Sequence, residues 1–194
     1  KPYMIDLVLT VDGVREALAG KLIISVLAGS PVDKLNAAIF HAGPRTEDEK
    51  PFFIKRAMMN MAAEYGQSMT VLETNPFIPE EYEDLIEWMF SQLGKTAPVA
   101  PELYDVAGVM AGASGALLSI AFDGMLDGAV SQGMKRADAN KILTQSLISL
   151  ATLLQNEHPA VLREKFSSPK GTTIAGLLSL EEDRARYAYS KATI

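Results

Sequence analysis

From Val106 to Phe122 the chain runs seventeen residues without a charge, between Asp105 and Asp123. Leu117, Leu118, Ile120, Phe122 and Met125 spread around every side of a helix drawn through this region. A helix that is apolar all round has to be covered all round. The stretch is short for a membrane span and rich in Gly, Ala and Ser. The expectation is therefore a helix buried against other protein helices, with no membrane. Gly108, Gly112 and Ala116 recur at every fourth position, a spacing that lets another backbone approach closely. A single chain of 194 residues has too few other helices to cover this surface. The economical solution is a dimer whose helices interlock.

The pattern upstream is different. Ile5 to Ala19 fits either a strand or a helix: Ile5, Leu7, Leu9 and Val11 alternate, while Met4, Leu7, Val8, Val11, Val14 and Leu18 follow a helical spacing. Leu22 to Ala28 is a continuous apolar run, as in a strand covered on both faces. Ser30 and Pro31 then start a short helix, Val32 to Ile39. Phe52 to Met58 and Met69 to Glu73 read as strands. Pro79 to Leu93 reads as a helix with one apolar stripe, four carboxylates in its first turn and Gly94 as a left-handed stop. A short strand at Thr96 to Val99 follows. Strand, helix and strand at this spacing mark a layered α/β unit. After Pro101 only helices are expected: Glu102 to about Gln132, Arg136 to Gln155, Pro159 to Phe166, and a last one to the C-terminus after the loop Ser167 to Thr172.

Composition narrows the chemistry. There is no cysteine, which excludes disulfides, thiol nucleophiles and thiolate metal sites. Eighteen basic against 24 acidic residues give a net charge of −6, a poor match to nucleic acid. No signal-peptide pattern is present, and a cytoplasmic location is expected. No dinucleotide, phosphate-loop or zinc motif occurs. His158 precedes Pro159 at a helix start, where a structural role is expected, so no metal is assigned. Two segments invite a ligand. One is Ala111-Gly112-Ala113-Ser114-Gly115, where glycines inside a helix need a reason: close packing or close approach of a ligand. The other is Ser168-Pro169-Lys170-Gly171-Thr172-Thr173. Its hydroxyls, Lys170 and the free N–H groups of the next helix suit a carboxylate. Alternatively, Thr172 or Thr173 simply caps that helix.

The order of segments resembles a known family. Asn156-Glu157-His158-Pro159, Leu162-Arg163-Glu164 and Ser168-Pro169-Lys170-Gly171-Thr172-Thr173-Ile174-Ala175-Gly176-Leu177 are similar to the C-terminal signature of pyrroline-5-carboxylate reductase. Lys21 to Gly29 resembles that family's fifth Rossmann strand and turn. Arg56-Ala57-Met58-Met59-Asn60 sits where the family has Arg-Val-Met-Pro-Asn, and Lys1-Pro2 resembles the Lys-Pro after its fourth strand. The resemblance implies an α/β partial Rossmann-like domain over 1–100, followed by an all-α dimerisation domain over 101–194. It implies reduction of the C=N bond of a small cyclic imine, pyrroline-5-carboxylate, with NADP or NAD as cofactor. It implies a homodimer that can assemble further. By position, Gly112, Ala113, Ser114, Ser168, Lys170, Gly171, Thr172 and Thr173 match the substrate segments. Thr173 matches the Thr that hydrogen-bonds the imine side, the catalytic position. Asn60, Lys1 and Pro2 match the cofactor side.

The sequence departs from the family at these segments. Lys170 replaces the first Gly of a Gly-Gly pair, and Ala111 and Ala113 stand where the family has serines. Met59, Met61 and Ala62 replace Pro, Thr and Pro. The chain starts at Lys1-Pro2 rather than at a methionine, and the family's Gly-rich phosphate-binding turn is expected before that point. Three readings follow. In the first, the chain is part of a reductase whose nucleotide-binding half lies outside it. In the second, it carries no cofactor and its dimer cleft serves a cyclase or isomerase of a small apolar molecule, with Met58, Met59, Met61 and Met110 near the cleft. In the third, it is a non-catalytic dimeric binding module.

Overall fold

The computed structural model describes residues 1–194. The chain forms two compact units, Lys1–Ser114 and Gly115–Ile194. The first is built on a four-stranded sheet in sequential order: β1 (Leu22–Ser25), β2 (Phe53–Met58), β3 (Ser68–Glu73) and β4 (Gly94–Val99). β1 and β2 are parallel and are joined through α3 (Val32–Ile39). β3 and β4 are parallel and are joined through α4 (Glu80–Ser91). A parallel pair needs such a crossover, whereas an antiparallel pair needs only a short link. The link from β2 to β3 is short, one 3₁₀ segment at Met61–Tyr65, and this pair is antiparallel.

The ambiguous N-terminal stretch folds as two short helices, α1 (Ile5–Leu9) and α2 (Val14–Leu18). Ile5 is buried, Leu9 one turn later is half-buried, and Leu7 between them is exposed. Helical spacing, not alternation, therefore selects the inward side. The run from Leu22 is shorter as a strand than expected. It ends at Ser25, it lies at the end of the sheet, and Val26 is exposed. Its two faces are still used. Ile23 and Leu27 pack with Ile5, Leu35, Ile39 and Ile54, while Leu22 and Ile24 pack with Ala57, Leu72, Ile86 and Phe90.

β2 carries two adjacent cations in a buried strand. Alternation sends them to opposite faces. Lys55 reaches Glu83 of α4, with both carboxylate oxygens within 2.7 Å of Nζ. Arg56 faces the other way, toward Glu73 and Asp105.

Gly94 is not the helix stop anticipated from the sequence. α4 ends at Ser91 and its C-cap, Gln92, is right-handed. Gly94 opens β4 with φ +146°, pressed against the backbone of Ser68, its partner in β3.

The expected single helix from Glu102 to Gln132 is a composite. A 3₁₀ turn (Pro101–Leu103) leads into α5 (Tyr104–Gly108), one π turn (Val109–Ala113) and α6 (Ser114–Ser131). The run Pro101–Ser131 is long and apolar enough to cross a membrane by length and composition alone. In the second unit, α7 (Arg136–Leu154), α8 (Pro159–Lys165), α9 (Thr172–Glu182) and α10 (Ala185–Thr193) follow. The expected last helix is two, because Arg184 adopts φ +55° between them. Ala139 and Leu162 are the only buried apolar residues of this unit. Ile120, Met125, Ile142, Ile148, Leu178 and Leu180 are exposed. Exposed apolar faces of this extent mark an interaction surface.

Candidate active site

Several of the residues selected from sequence meet around the π turn. A π turn widens the helix by one residue, and Ser114 N–H accordingly bonds Val109 O, five residues back. Asn60, just past β2, reaches across to it. Its Nδ2 donates to Ala111 O at 3.0 Å, and its Oδ1 accepts from Ala62 N–H at 3.0 Å. Its backbone N–H donates to Ser68 Oγ at 3.2 Å. Met58 fills the other contact between strand and turn. A Cβ on Gly108 would come within 2.6 Å of Met58 Sδ, and one on Gly112 within 3.7 Å. The small-residue spacing at Gly108 and Gly112 is thus occupied by a methionine side chain, where the sequence suggested a neighbouring backbone. Gly112 is exposed, and Ala113 and Ser114 are half-buried.

Lys1 and Pro2 lie at the start of the same unit. Lys1 borders a 320 Å³ cavity together with Val26 and Leu27, which follow the last residue of β1. Asn60 follows the end of β2. Lys1 shares that cavity with residues along β1 as well, so of the two only Asn60 is placed at a carboxyl end of the parallel pair β1 and β2. That is the edge of an open α/β sheet where ligands bind.

Next to the turn sits a charge cluster that the sequence reading did not single out. Arg56 is buried, with its guanidinium 3.9 Å from the centroid of the Tyr104 ring. It pairs with Asp105 at 2.8 Å and Glu73 at 3.5 Å. Burial raises the Glu73 carboxyl above the usual range, and Arg56 pulls the other way. Burial also pushes the Tyr104 hydroxyl up to about 12, with Arg56 opposing. Tyr104 is therefore fully protonated at neutral pH. The signal in the sequence was Lys55-Arg56 inside an otherwise apolar strand. Their partners were not visible, because Glu73 and Asp105 lie 17 and 49 residues from Arg56.

The remaining sequence-selected residues belong to the second unit. Between α8 and α9, Gly171 N–H bonds Ser168 O at 3.0 Å, closing the Ser168–Gly171 turn. A Cβ on Gly171 would lie 3.1 Å from Ser168 O, so this glycine sits in a tight place. Lys170 takes φ +58°, a left-handed conformation that costs a side-chain-bearing residue about 1–2 kcal/mol. No side chain caps α9, so its first N–H groups are not closed by Thr172 or Thr173. Ser168, Lys170, Thr172 and Thr173 are all exposed. His158 caps α8 by accepting from Ala160 N–H at 3.2 Å.

Residues 101–194 match the family model described as pyrroline-5-carboxylate reductase dimerisation. Over 99% of its length the chain is 35% identical to a pyrroline-5-carboxylate reductase of Neurospora crassa, of which it spans 61%. It is 32% identical over 99% of its length to the Synechocystis pyrroline-5-carboxylate reductase, of which it spans 68%. The chain belongs to the pyrroline-5-carboxylate reductase family. The fold agrees. A Plasmodium falciparum pyrroline carboxylate reductase with NADP bound superposes with a TM-score of 0.87 at 22% identity, covering all of this chain and 74% of that one. The α/β partial Rossmann-like region followed by a helical domain is thus the architecture of pyrroline-5-carboxylate reductases. The chain spans about three fifths of the length of the Neurospora relative.

Against this family, Met58 bears on the reading of a cofactor-free cleft for an apolar molecule. Its thioether is spent on Gly108 and Gly112. Met61 and Met110 are exposed, whereas Met59 packs into the cluster of Ala57, Leu72, Ile86 and Phe90.

Proposed function

We propose that the chain is the nicotinamide-edge and helical-domain portion of an NADP- or NAD-dependent pyrroline-5-carboxylate reductase, with residues 1–100 and 101–194 as its two domains. One observation carries this reading. Asn60, which the resemblance puts beside the nicotinamide, and the turn that leads into Gly112, Ala113 and Ser114, which it puts beside the substrate, meet through a hydrogen bond at Ala111. The substrate is a small cyclic imine bearing a carboxylate. Its C=N carbon takes a hydride and its nitrogen takes a proton, giving a secondary amine. A bound NADPH or NADH would supply the hydride; Lys1 and Pro2 would line its side of the site, with Asn60 beside it and its side-chain amide engaged by Ala62 N–H and Ala111 O. Asn60 lies just past the carboxyl end of β2, the edge of an open α/β sheet where such a group binds.

The rest falls to this chain's own groups. The Thr173 hydroxyl donates a hydrogen bond to the imine nitrogen and orients the ring. The uncapped N–H groups of α9, the Ser168 and Thr172 hydroxyls and the Lys170 charge hold the carboxylate. Gly171 lets the loop close tightly beside it. By the resemblance, the main chain of Gly112, Ala113 and Ser114 is the other substrate-binding segment. The names of the relatives favour this reading over a cofactor-independent cyclase or isomerase and over a non-catalytic binding module.

The decisive experiment uses the full natural protein. Imine-dependent oxidation of NADPH is expected, followed by absorbance. A protein that neither binds NADPH nor consumes the imine removes the reductase reading. The Thr173→Ala variant is expected to lose about tenfold in kcat/KM, the worth of one hydrogen bond at the reacting group. Unchanged turnover would discard that role for Thr173.

The partner in this reading is a second copy. The matched dimerisation region carries the exposed apolar faces of α6, α7 and α9, which a homodimer would cover. Sedimentation equilibrium is expected to return twice the chain mass or a higher multiple. A monomer persisting at micromolar concentration would contradict it. A cytoplasmic location without a membrane partner goes with this reading, and the net charge of −6 disfavours nucleic acid as a partner.

A further inference from the structure

We propose that Asn60 is a positioning residue: its side-chain amide latches the π turn to the end of β2 and thereby holds the main chain of Gly112–Ser114 in place. The kinetic part of this proposal rests on the reductase reading; the structural part does not.

The hydrogen-bond inventory of the amide carries the argument. An asparagine side chain offers one carbonyl oxygen and one NH₂. Here Oδ1 is held by Ala62 N–H, which fixes the plane of the amide and aims Nδ2 at Ala111 O. The backbone of Asn60 is itself anchored on the buried Ser68 hydroxyl. The latch is therefore braced at both ends, on β3 and on the turn. Ala111 is buried, so its carbonyl has few other donors to turn to.

The π geometry is what the latch protects. Relaxing a π turn to an α turn moves one flank by one residue, about 100° around the helix axis. Such a shift would carry Gly112, Ala113 and Ser114 off the face they now present. Met58 cannot oppose it alone. It packs on Gly108 and Gly112, and a flexible thioether adapts to either register. The hydrogen bond at Ala111 is directional and specifies one register.

Two substitutions in the full natural protein separate this role from simpler ones. Asn60→Ala removes both side-chain bonds. Asn60→Asp keeps the acceptor for Ala62 N–H, and aspartate is a good cap, but it has no donor for Ala111 O. Hydrogen exchange of the amides in 109–116 is expected to speed up about tenfold in both variants, with the β3 amides 69–73 unchanged. This readout needs neither substrate nor cofactor, so it stands even where no imine is reduced. With NADPH and the imine, kcat is expected to fall about tenfold in both variants, while the Kd for NADPH stays within twofold.

Three results would overturn the proposal. Exchange at 109–116 that is unchanged in Asn60→Ala means there is no latch. Wild-type behaviour of Asn60→Asp means the side chain serves only to cap Met61–Tyr65. A rise in the NADPH Kd that accounts for the whole loss of rate means the amide is a cofactor ligand. A wild-type protein without turnover, by contrast, would count against the reductase reading and leave the exchange result to decide the latch.

Discussion

Replacing Arg56 with methionine is expected to destabilise the first unit by about 3–5 kcal/mol near neutral pH. Methionine preserves much of the packing volume but leaves Glu73 as a buried carboxylate without its cation. The loss has a pH dependence of known sign. Glu73 already has a raised value in the folded protein, because burial outweighs the help from Arg56. Without Arg56 the folded value rises further, while the unfolded value does not change. The folded variant then binds a proton more tightly than its unfolded chain, so its stability increases as pH falls toward the usual carboxylate range. Urea denaturation near pH 7 and near pH 5 checks this, with the smaller deficit expected at the lower pH. An equal deficit at both would show that lost packing on Tyr104, not the stranded charge, is responsible. Asp105 enters little into the sum, because its side chain is mostly exposed and water screens it.

The Gly94→Ala variant is expected to lose about 3 kcal/mol or more, or to fail to accumulate as folded protein. Two independent costs combine. At φ +146° an alanine is strained whatever the space around it. Its Cβ would also lie 2.1 Å from Ser68 O and 2.5 Å from Ser68 N, backbone atoms that cannot swing aside. Relief requires β3 and β4 to separate at Ser68, whose hydroxyl anchors Asn60. The damage should therefore reach the 109–116 amides as well as the melting temperature. A variant with wild-type stability would mean that the chain passes this point in another conformation.

These two positions mark the boundary between what is legible in the sequence and what is not. Gly94 was recognisable as a glycine that had to be glycine. Its reason was misassigned, because a helix end and a tight strand approach leave the same residue behind. Arg56 was recognisable as a charge in an apolar strand, and strand alternation puts Lys55 and Arg56 on opposite faces. Which carboxylates answer them was not, since those come from β3, α4 and α5. The π turn left no mark at all. A run of Val, Met, Ala and Gly accommodates α and π geometry alike, and the group that meets the turn through a directional bond, Asn60, lies about fifty residues upstream.

What the sequence by itself determined is whatever follows from local periodicity and local chemistry. It determined the amphipathic α4 with Ile86 and Phe90 turned inward, and the change from α/β to all-α near Pro101. It also determined the turn of Ser168 to Gly171 and the family to which these segments belong. Only the tertiary structure decided the reversal of strand direction between β2 and β3, the burial of Arg56 and the register of the π turn. Each of these depends on which distant groups arrive at hydrogen-bond distance, and a pattern of neighbours along the chain holds no record of that.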